Sequence, residues 1–373
     1  MGNTNFEIAV NAIKLIVIFL IMVQLVPILV WLERRGSAFI QNRLGPNRIG
    51  PLGLMQLLAD AVKFLMKEEF APAHAVKLLY YAAPVVALVP ATLGFAAIPL
   101  GHPVQWDDSV FALQGYTINV GIVFVLAVSS LASYAILLAG WGSGNKYALM
   151  GALRASAQVI SYELALGLSI VGVIMLYGSF DFNAMIAAQQ GPLTLSFMGN
   201  QYVIPFLPNW GIFYQPLGAL IFFAAAFAES NRLPFDLAEG EAELVAGFHV
   251  EYGGFKMLLF FIGEYGHMMV ASGLLATFFF GGYSLGWISY EQLLTWAQSM
   301  TSSANAASAL AGLITFLAFF AKVALFLWIF IWVRWTLPRF RYDQLMDLGW
   351  KTMLPWALGN TLLTAVVIYW VHS

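Results

Sequence analysis

The chain has 373 residues, of which 61% are hydrophobic and 10% charged, with no cysteine and a net charge of -2. That composition excludes an ordinary soluble domain, and the charge balance excludes a nucleic-acid partner, because no excess of Lys and Arg is available for phosphates. Without cysteine the chain forms no disulfide and holds neither thiolate zinc nor a cysteine-ligated iron-sulfur cluster.

About eight apolar runs are long enough, at roughly 20 residues, to cross ~30 Å of hydrocarbon. The first spans Ile8 to Trp31 and is followed by Glu33, Arg34 and Arg35 instead of a small-residue cleavage site, so it reads as a retained helix. "RLGPNRIGPLG" (Arg43 to Gly53) carries two Gly-Pro pairs and predicts a rigid loop. Beyond it, Gln56, Asp60, Lys63 and Lys67 recur at steps of three and four among apolar neighbours. This narrow polar stripe predicts an amphipathic helix along the cytoplasmic interface.

The further runs are Leu78 to Leu100, Ile118 to Gly140, Ala155 to Tyr177, Trp210 to Ala228, Phe255 to Phe280, Ala307 to Val333 and Leu354 to Val371. Arg34, Arg35, Arg43, Arg48, Lys63, Lys67 and Lys77 fall between the first two, and Lys146 and Arg154 between the third and fourth. Arg232 and Lys256 flank the fifth connection, and Arg334, Arg339, Arg341 and Lys351 the seventh. The alternate loops contain no base, so these connections are assigned to the inside and both termini to the outside. Lys14 and Lys322 lie inside spans. The fold expected is an all-α integral membrane protein, one polytopic domain over residues 1–373 with an interfacial helix.

Among the histidines only His267 lies well within a span; with no second ligand beside it, it reads as a hydrogen-bonded packing residue. "GWGSGNKY" (Gly140 to Tyr147) has the spacing of neither glycine fingerprint and no strand before it. The acids carry more information. Glu33, Glu163, Glu229 and Glu264 all fall toward the inner ends of spans, where an ionisable group is costly and usually functional or paired. In general, low dielectric and like charge raise a carboxyl pKa toward neutrality and permit proton relay.

"AESNRLPFDLAEGEAELVAG" (Ala228 to Gly247) sets Glu229, Asp236, Glu239, Glu241 and Glu243 against Arg232 alone. Pro234 interrupts one element, Asp236 is placed to cap the next, and Glu239 completes a capping-box pattern. Glu241 and Glu243 fall outside that account, and solvated loop acids stand level with a proton path. For Arg34, Arg35, Asp60 and Lys63 the bland account is topology anchoring and interfacial pairing; the functional one is a polar lining for the headgroup of a lipophilic substrate.

"ERRGSAFIQNRLGPNRIGPLGLMQLLADAVKFLMKEE" (Glu33 to Glu69), "AESNRLPFDLAEGEAELVAGFHVEYGG" (Ala228 to Gly254) and "PRFRYDQLMDLGWK" (Pro338 to Lys351) closely resemble the H subunit of respiratory complex I, NADH:quinone oxidoreductase, called subunit 1 in mitochondria. The resemblance implies a membrane-arm component of a proton-pumping translocase that helps form the quinone tunnel. Quinone would be the substrate, and this chain alone would bind no cofactor or metal. FMN and iron-sulfur clusters would reside in partner subunits, among them the hydrophilic quinone-site subunits; small membrane subunits would be its neighbours in the bilayer. Arg34, Arg35, Asp60, Lys63, Phe235 and Arg334 would line the quinone cavity. Glu163, Glu229, Asp236, Glu239, Glu241, Glu243 and Glu264 would form the proton-coupling path, with Glu33 near its mouth. The expected location is a bacterial inner (plasma) membrane in preference to a mitochondrial one.

A stand-alone proton or cation transporter is the alternative from another class, but broken helices at the midplane of inverted halves, its expected sign, are not visible. The membrane subunit of a related energy-converting hydrogenase complex is nearer. The complete "GPNRIGPLG" and "NRLPFD" blocks favour the quinone enzyme.

Overall fold

A computed structural model describes residues 4–107, 109–197, 200–237, 240, 245–301 and 303–372. The long helices in chain order are α1 (Thr4–Ile40), α2 (Gln56–Met66), α3 (Lys77–Ala97), α4 (Gly121–Ser129), α5 (Leu131–Gly142) and α6 (Lys146–Tyr177). They continue through the short α7 (Phe182–Ala188) and α8 (Gly211–Tyr214) to α9 (Pro216–Glu229), α10 (Gly254–Phe279), α11 (Tyr290–Met300), α12 (Ala304–Thr336), α13 (Tyr342–Asp347) and α14 (Leu354–His372). The all-α membrane architecture expected from the sequence is the one observed.

Seven segments among the described residues are long and apolar enough to cross a membrane, one fewer than the apolar runs suggest. The exception is α9, whose 14 residues reach about 21 Å at 1.5 Å per residue, short of ~30 Å of hydrocarbon. Pro216 occupies its first turn, where a missing N–H is harmless. Upstream, the apolar stretch that lengthened the run is broken into the turn of α8.

The first helix also differs from expectation, continuing to Ile40, so Glu33, Arg34 and Arg35 lie within it. No strong breaker intervenes before the Gly45-Pro46 pair, and Glu33 and Arg34 on its last turns find partners elsewhere in the chain. Helix α6 likewise starts at Lys146 and takes in Arg154; Asn145 caps it by accepting a hydrogen bond from the Tyr147 N–H. The connections without Lys or Arg hold two antiparallel hairpins, Val104–Trp106 with Ser109–Phe111 and Pro192–Phe197 with Asn200–Pro208, and the capped helix α11.

Helix α10 is the axis of the bundle. It packs against α1, α3, α9 and α12 and is buried without interruption from Tyr265 to Phe279. Small residues bring α3 and α10 together: a Cβ at Gly263 would lie 2.8 Å from the Ala87 carbonyl oxygen, and one at Gly266 would lie 2.8 Å from the Ala91 Cβ. Such close packing is the main adhesive between helices where lipid removes the hydrophobic drive. It also carries the intervening Glu264 and Tyr265, and His267 after them, into the centre of the protein.

Lys322 within α12 has a structural explanation. Its ammonium donates to the carbonyl oxygens of Phe280, Gly282 and Ser284 at 2.8, 2.8 and 2.6 Å and lies 5.0 Å from the Trp210 ring. The charge therefore neutralises the carbonyl end of α10, where the helix dipole is negative.

The predicted amphipathic helix is α2, lying against α1 and α10 with none of its residues buried. Before it, Gly50 and Gly53 take φ values of 72° and 77°. A Cβ at Gly53 would collide with the backbone of Pro46, so glycine is required for this turn.

Candidate functional site

At the end of the bundle that carries the basic connections, four parts of the chain converge on buried charge. Glu33 of α1 is 6% exposed and Arg232, from the loop after α9, is 4% exposed. Arg334 of α12 reaches Glu33 Oε1 at 2.6 Å, and Arg232 reaches Glu33 Oε2 at 3.3 Å. The Tyr265 hydroxyl of α10 donates to the same Oε2 at 2.6 Å. The other Arg232 nitrogen faces Glu264 at 3.6 Å, and the guanidinium carbon lies 4.1 Å from the Tyr265 ring centroid. Burial opposes the Arg232 charge, yet Tyr265, Glu264 and Glu33 more than offset it and hold the group above the ordinary arginine range.

Local structure explains how Arg232 arrives there. Asn231 adopts φ 48°, a left-handed conformation that asparagine tolerates, and turns the chain back beneath α9. The Arg232 N–H then bonds to the Phe227 carbonyl at 3.2 Å. Gln158 of α6 secures the loop by donating to the carbonyls of Ala228 and Phe235 at 2.9 and 2.6 Å. Asp236 pairs with Arg339 at 2.9 Å, and the Phe340 N–H donates to the Pro234 carbonyl at 3.1 Å. Two inner loops are thereby joined, with the Phe235 ring 5.4 Å from that of Tyr162 and 5.5 Å from that of Phe340.

Deeper in the bundle, Glu229 and Glu264 line one cavity of about 40 Å³, together with Ser133, Asn231, His249 and His267. Glu229 has Ser129 and Glu163 as electrostatic neighbours. The carboxylates therefore form a sequence through the protein: Glu33 and Glu264 share Arg232, Glu264 and Glu229 share the cavity, and Glu229 adjoins Glu163.

The remaining expected residues divide between two places. Arg34 pairs with Asp60 at 2.5 Å, and Gln56 donates to Asp60 at 3.0 Å. Arg35 stacks over Trp31 at 5.1 Å, and Lys63 is exposed on α2. This polar surface lies on the open side of α1 and α2. Phe235 is 6% exposed, so its ring is an interior contact in the isolated chain. Glu239, Glu241 and Glu243 lie outside the described residues, as does the capping box that would join Glu239 to Asp236.

Sequence reasoning missed the bridging role of Arg232, the hydroxyl of Tyr265 and the pairing of Asp236 with Arg339. Each depends on a partner distant in the chain, although an unaccompanied Arg in an acidic loop was a signal. His267, expected to be a hydrogen-bonded packing residue, has its Nε2 buried with no hydrogen-bond partner and lines the cavity.

Fold and site together define a polytopic membrane protein with one end organised by buried ion pairs. The chain belongs to the NADH dehydrogenase family, whose profile matches residues 13–365. The NADH-quinone oxidoreductase H subunit of Bdellovibrio bacteriovorus is 69% identical, the alignment covering 99% of this chain and 98% of the relative. An H subunit of the same enzyme from Geobacter sulfurreducens, the one numbered 2, is 45% identical over the full length of both chains. NADH-quinone oxidoreductase subunit 8 from Rhodothermus marinus is 45% identical over 91% of each. The resemblance read from the three sequence blocks is borne out, and with it the assignment to a subunit of an oxidoreductase complex.

Proposed function

We propose that this chain forms part of the quinone cavity of an NADH:quinone oxidoreductase and couples quinone reduction to proton movement through its buried carboxylates. The observation that carries the proposal is the ionic cluster of Glu33, Arg232, Glu264, Tyr265 and Arg334. It stands between the polar surface of α1 and α2 and the cavity containing Glu229. Quinone becomes quinol by taking two electrons, supplied by a partner subunit, and two protons. Proton uptake beside Glu33 would change the charge balance of a cluster in which two arginines meet two glutamates. Arg232 touches both glutamates, so it would transmit that change to Glu264.

Arg34, Arg35, Asp60 and Lys63 would receive the polar headgroup, while the exposed apolar residues of α2, including Leu58, Val62 and Leu65, face the isoprenoid tail or neighbouring subunits. With α9 counted as a crossing, eight passages put both termini on one side. The basic connections assign that side to the outside of a bacterial plasma membrane. A stand-alone transporter is disfavoured by the relatives, whose names describe subunits of a quinone oxidoreductase.

Photo-crosslinking with an azido-quinone in the intact complex tests the cavity. Adducts on residues 33–67 of this chain, suppressed by excess quinone, are expected. Labelling confined to other subunits, or insensitive to competitor, would count against it.

A further inference from the structure

Lys256 belongs neither to the ion-pair cluster nor to the lining of the cavity. It sits in the first turn of α10, where the helix dipole disfavours a cation, and its side chain is 5% exposed. Its ammonium donates to the Phe70 carbonyl at 3.1 Å and lies 4.8 Å from the ring centroids of both Tyr80 and Tyr81. One carbonyl and two ring faces take up the three donors of an ammonium. The carboxylate neighbour, Glu69, stands off at 3.9 Å and is half exposed. Tyr80 is itself fixed: its hydroxyl donates to the Glu251 carbonyl at 2.6 Å, and the Tyr252 ring is stacked on it at 4.5 Å.

Phe70 lies in the segment by which the chain leaves α2. That helix has no buried residue, so side-chain packing holds it weakly. Its far end rests on the start of α10: the Phe64 ring is 6.3 Å from that of Phe261, and a Cβ at Gly254, where φ is 59°, would lie 3.4 Å from the Lys67 carbonyl oxygen. Beyond Met66 the backbone turns extended, with ψ 132° at Lys67. The Phe70 side chain is 71% exposed, so this stretch is tied down by its backbone carbonyl and not by its ring.

We propose that Lys256 is a positioning residue for quinone, clamping the exit of α2 to the start of α10 and thereby holding Asp60 and Lys63 in place opposite Arg34 of α1. The inference rests on the reading of α2 as the headgroup surface. A helix free to wander must be ordered each time the headgroup binds, at a cost in affinity, and the clamp meets that cost beforehand. Lys256 precedes Glu264 by just over two helical turns and touches no member of the ion-pair cluster among its described contacts. Its loss therefore weakens binding and leaves the turnover of bound quinone alone.

The test uses the assembled complex carrying Lys256→Met, which keeps the apolar stem and removes the ammonium. Hydrogen–deuterium exchange of residues 56–76 reads the clamp, and steady-state quinone reduction reads its consequence. Exchange there should quicken, and KM for quinone should rise about tenfold, the effect of roughly one hydrogen bond, with kcat unchanged. Lys256→Arg should recover part of both, because a guanidinium also stacks on aromatic rings. Tyr81→Leu keeps the lysine and alters a residue already 48% exposed; it should raise KM about threefold, and it decides the matter if the methionine variant does not assemble. Unchanged exchange in Lys256→Met, a lowered kcat at unchanged KM, or faster exchange with both constants unchanged overturns the proposal. Asp60→Asn separates it from the reading beneath it. If that variant leaves KM for quinone unchanged, α2 is not the headgroup surface and the kinetic role falls with it, while the exchange data still decide whether Lys256 clamps the helix.

Discussion

Replacing Arg232 with leucine is expected to destabilise the assembled protein by about 3–5 kcal/mol, the cost of removing one member of a buried ionic group and leaving its partners uncompensated. Both Glu33 and Glu264 lose a counter-charge in this variant. Arg334 remains on Glu33, but its side chain is 25% exposed. Thermal unfolding of the purified complex, with this chain's retention in the membrane arm as a second readout, measures the loss. Arg232→Lys should be intermediate, because one ammonium cannot meet two carboxylates and stack on Tyr265 as a planar guanidinium does. Adding Glu264→Gln to Arg232→Leu should recover part of the stability by removing a charge that has lost its arginine. A leucine variant within about 1 kcal/mol of wild type, the range of an exposed ion pair, would show that the cluster does not hold the inner ends of the helices together.

Glu229→Gln is expected to leave assembly intact and to lower proton-coupled quinone reduction by about 100-fold, the lower end of what a positioned acid or base contributes. The amide matches the carboxyl in shape and hydrogen-bonding capacity but carries no exchangeable acid proton along the path. Glu163→Gln should act in the same direction, because Glu163 neighbours Glu229, whereas Glu229→Asp should retain part of the activity. The measurement is NADH-driven quinone reduction and proton uptake in vesicles containing the whole complex. If reduction and translocation both proceed unchanged in the two glutamine variants, these acids do not form the route.

Much of this architecture is visible in the amino-acid order, and the reasons are physical. A run of some 20 apolar residues has few alternatives to crossing a bilayer, so most crossings, and the polar stripe that became α2, were legible. The end of α1 was not. Glu33, Arg34 and Arg35 look like a stop after an apolar helix, and Glu33 and Arg34 are stable inside one only because Arg232, Arg334 and Asp60 come from elsewhere to pair with them. Helix α9 came out shorter than its apolar run because hydropathy does not register the break at Gln215 before Pro216. The hairpins of the outer loops were missed because those loops combine turn residues with only short apolar stretches.

For the candidate site, the acids were legible as types at suspicious depth. Their order in space was not, since Glu33, Glu264 and Glu229 are arranged by helix packing and by the small residues that draw α10 against α3. His267 illustrates the difference most clearly. A lone histidine in an apolar helix reads as packing, and the pocket that His267 lines is made by residues distant in the chain.

The central claim is that carboxyl groups in the line from Glu33 through Glu264 to Glu229 exchange protons when quinone is reduced. Redox-triggered infrared difference spectroscopy of the intact complex tests it most directly, by following the carbonyl stretch of protonated carboxyl groups. The account predicts a signal that changes with the redox state of the quinone and loses distinct components in Glu229→Gln and Glu264→Gln. Carboxylates that remain anionic through turnover, with spectra identical in wild type and both variants, would contradict it.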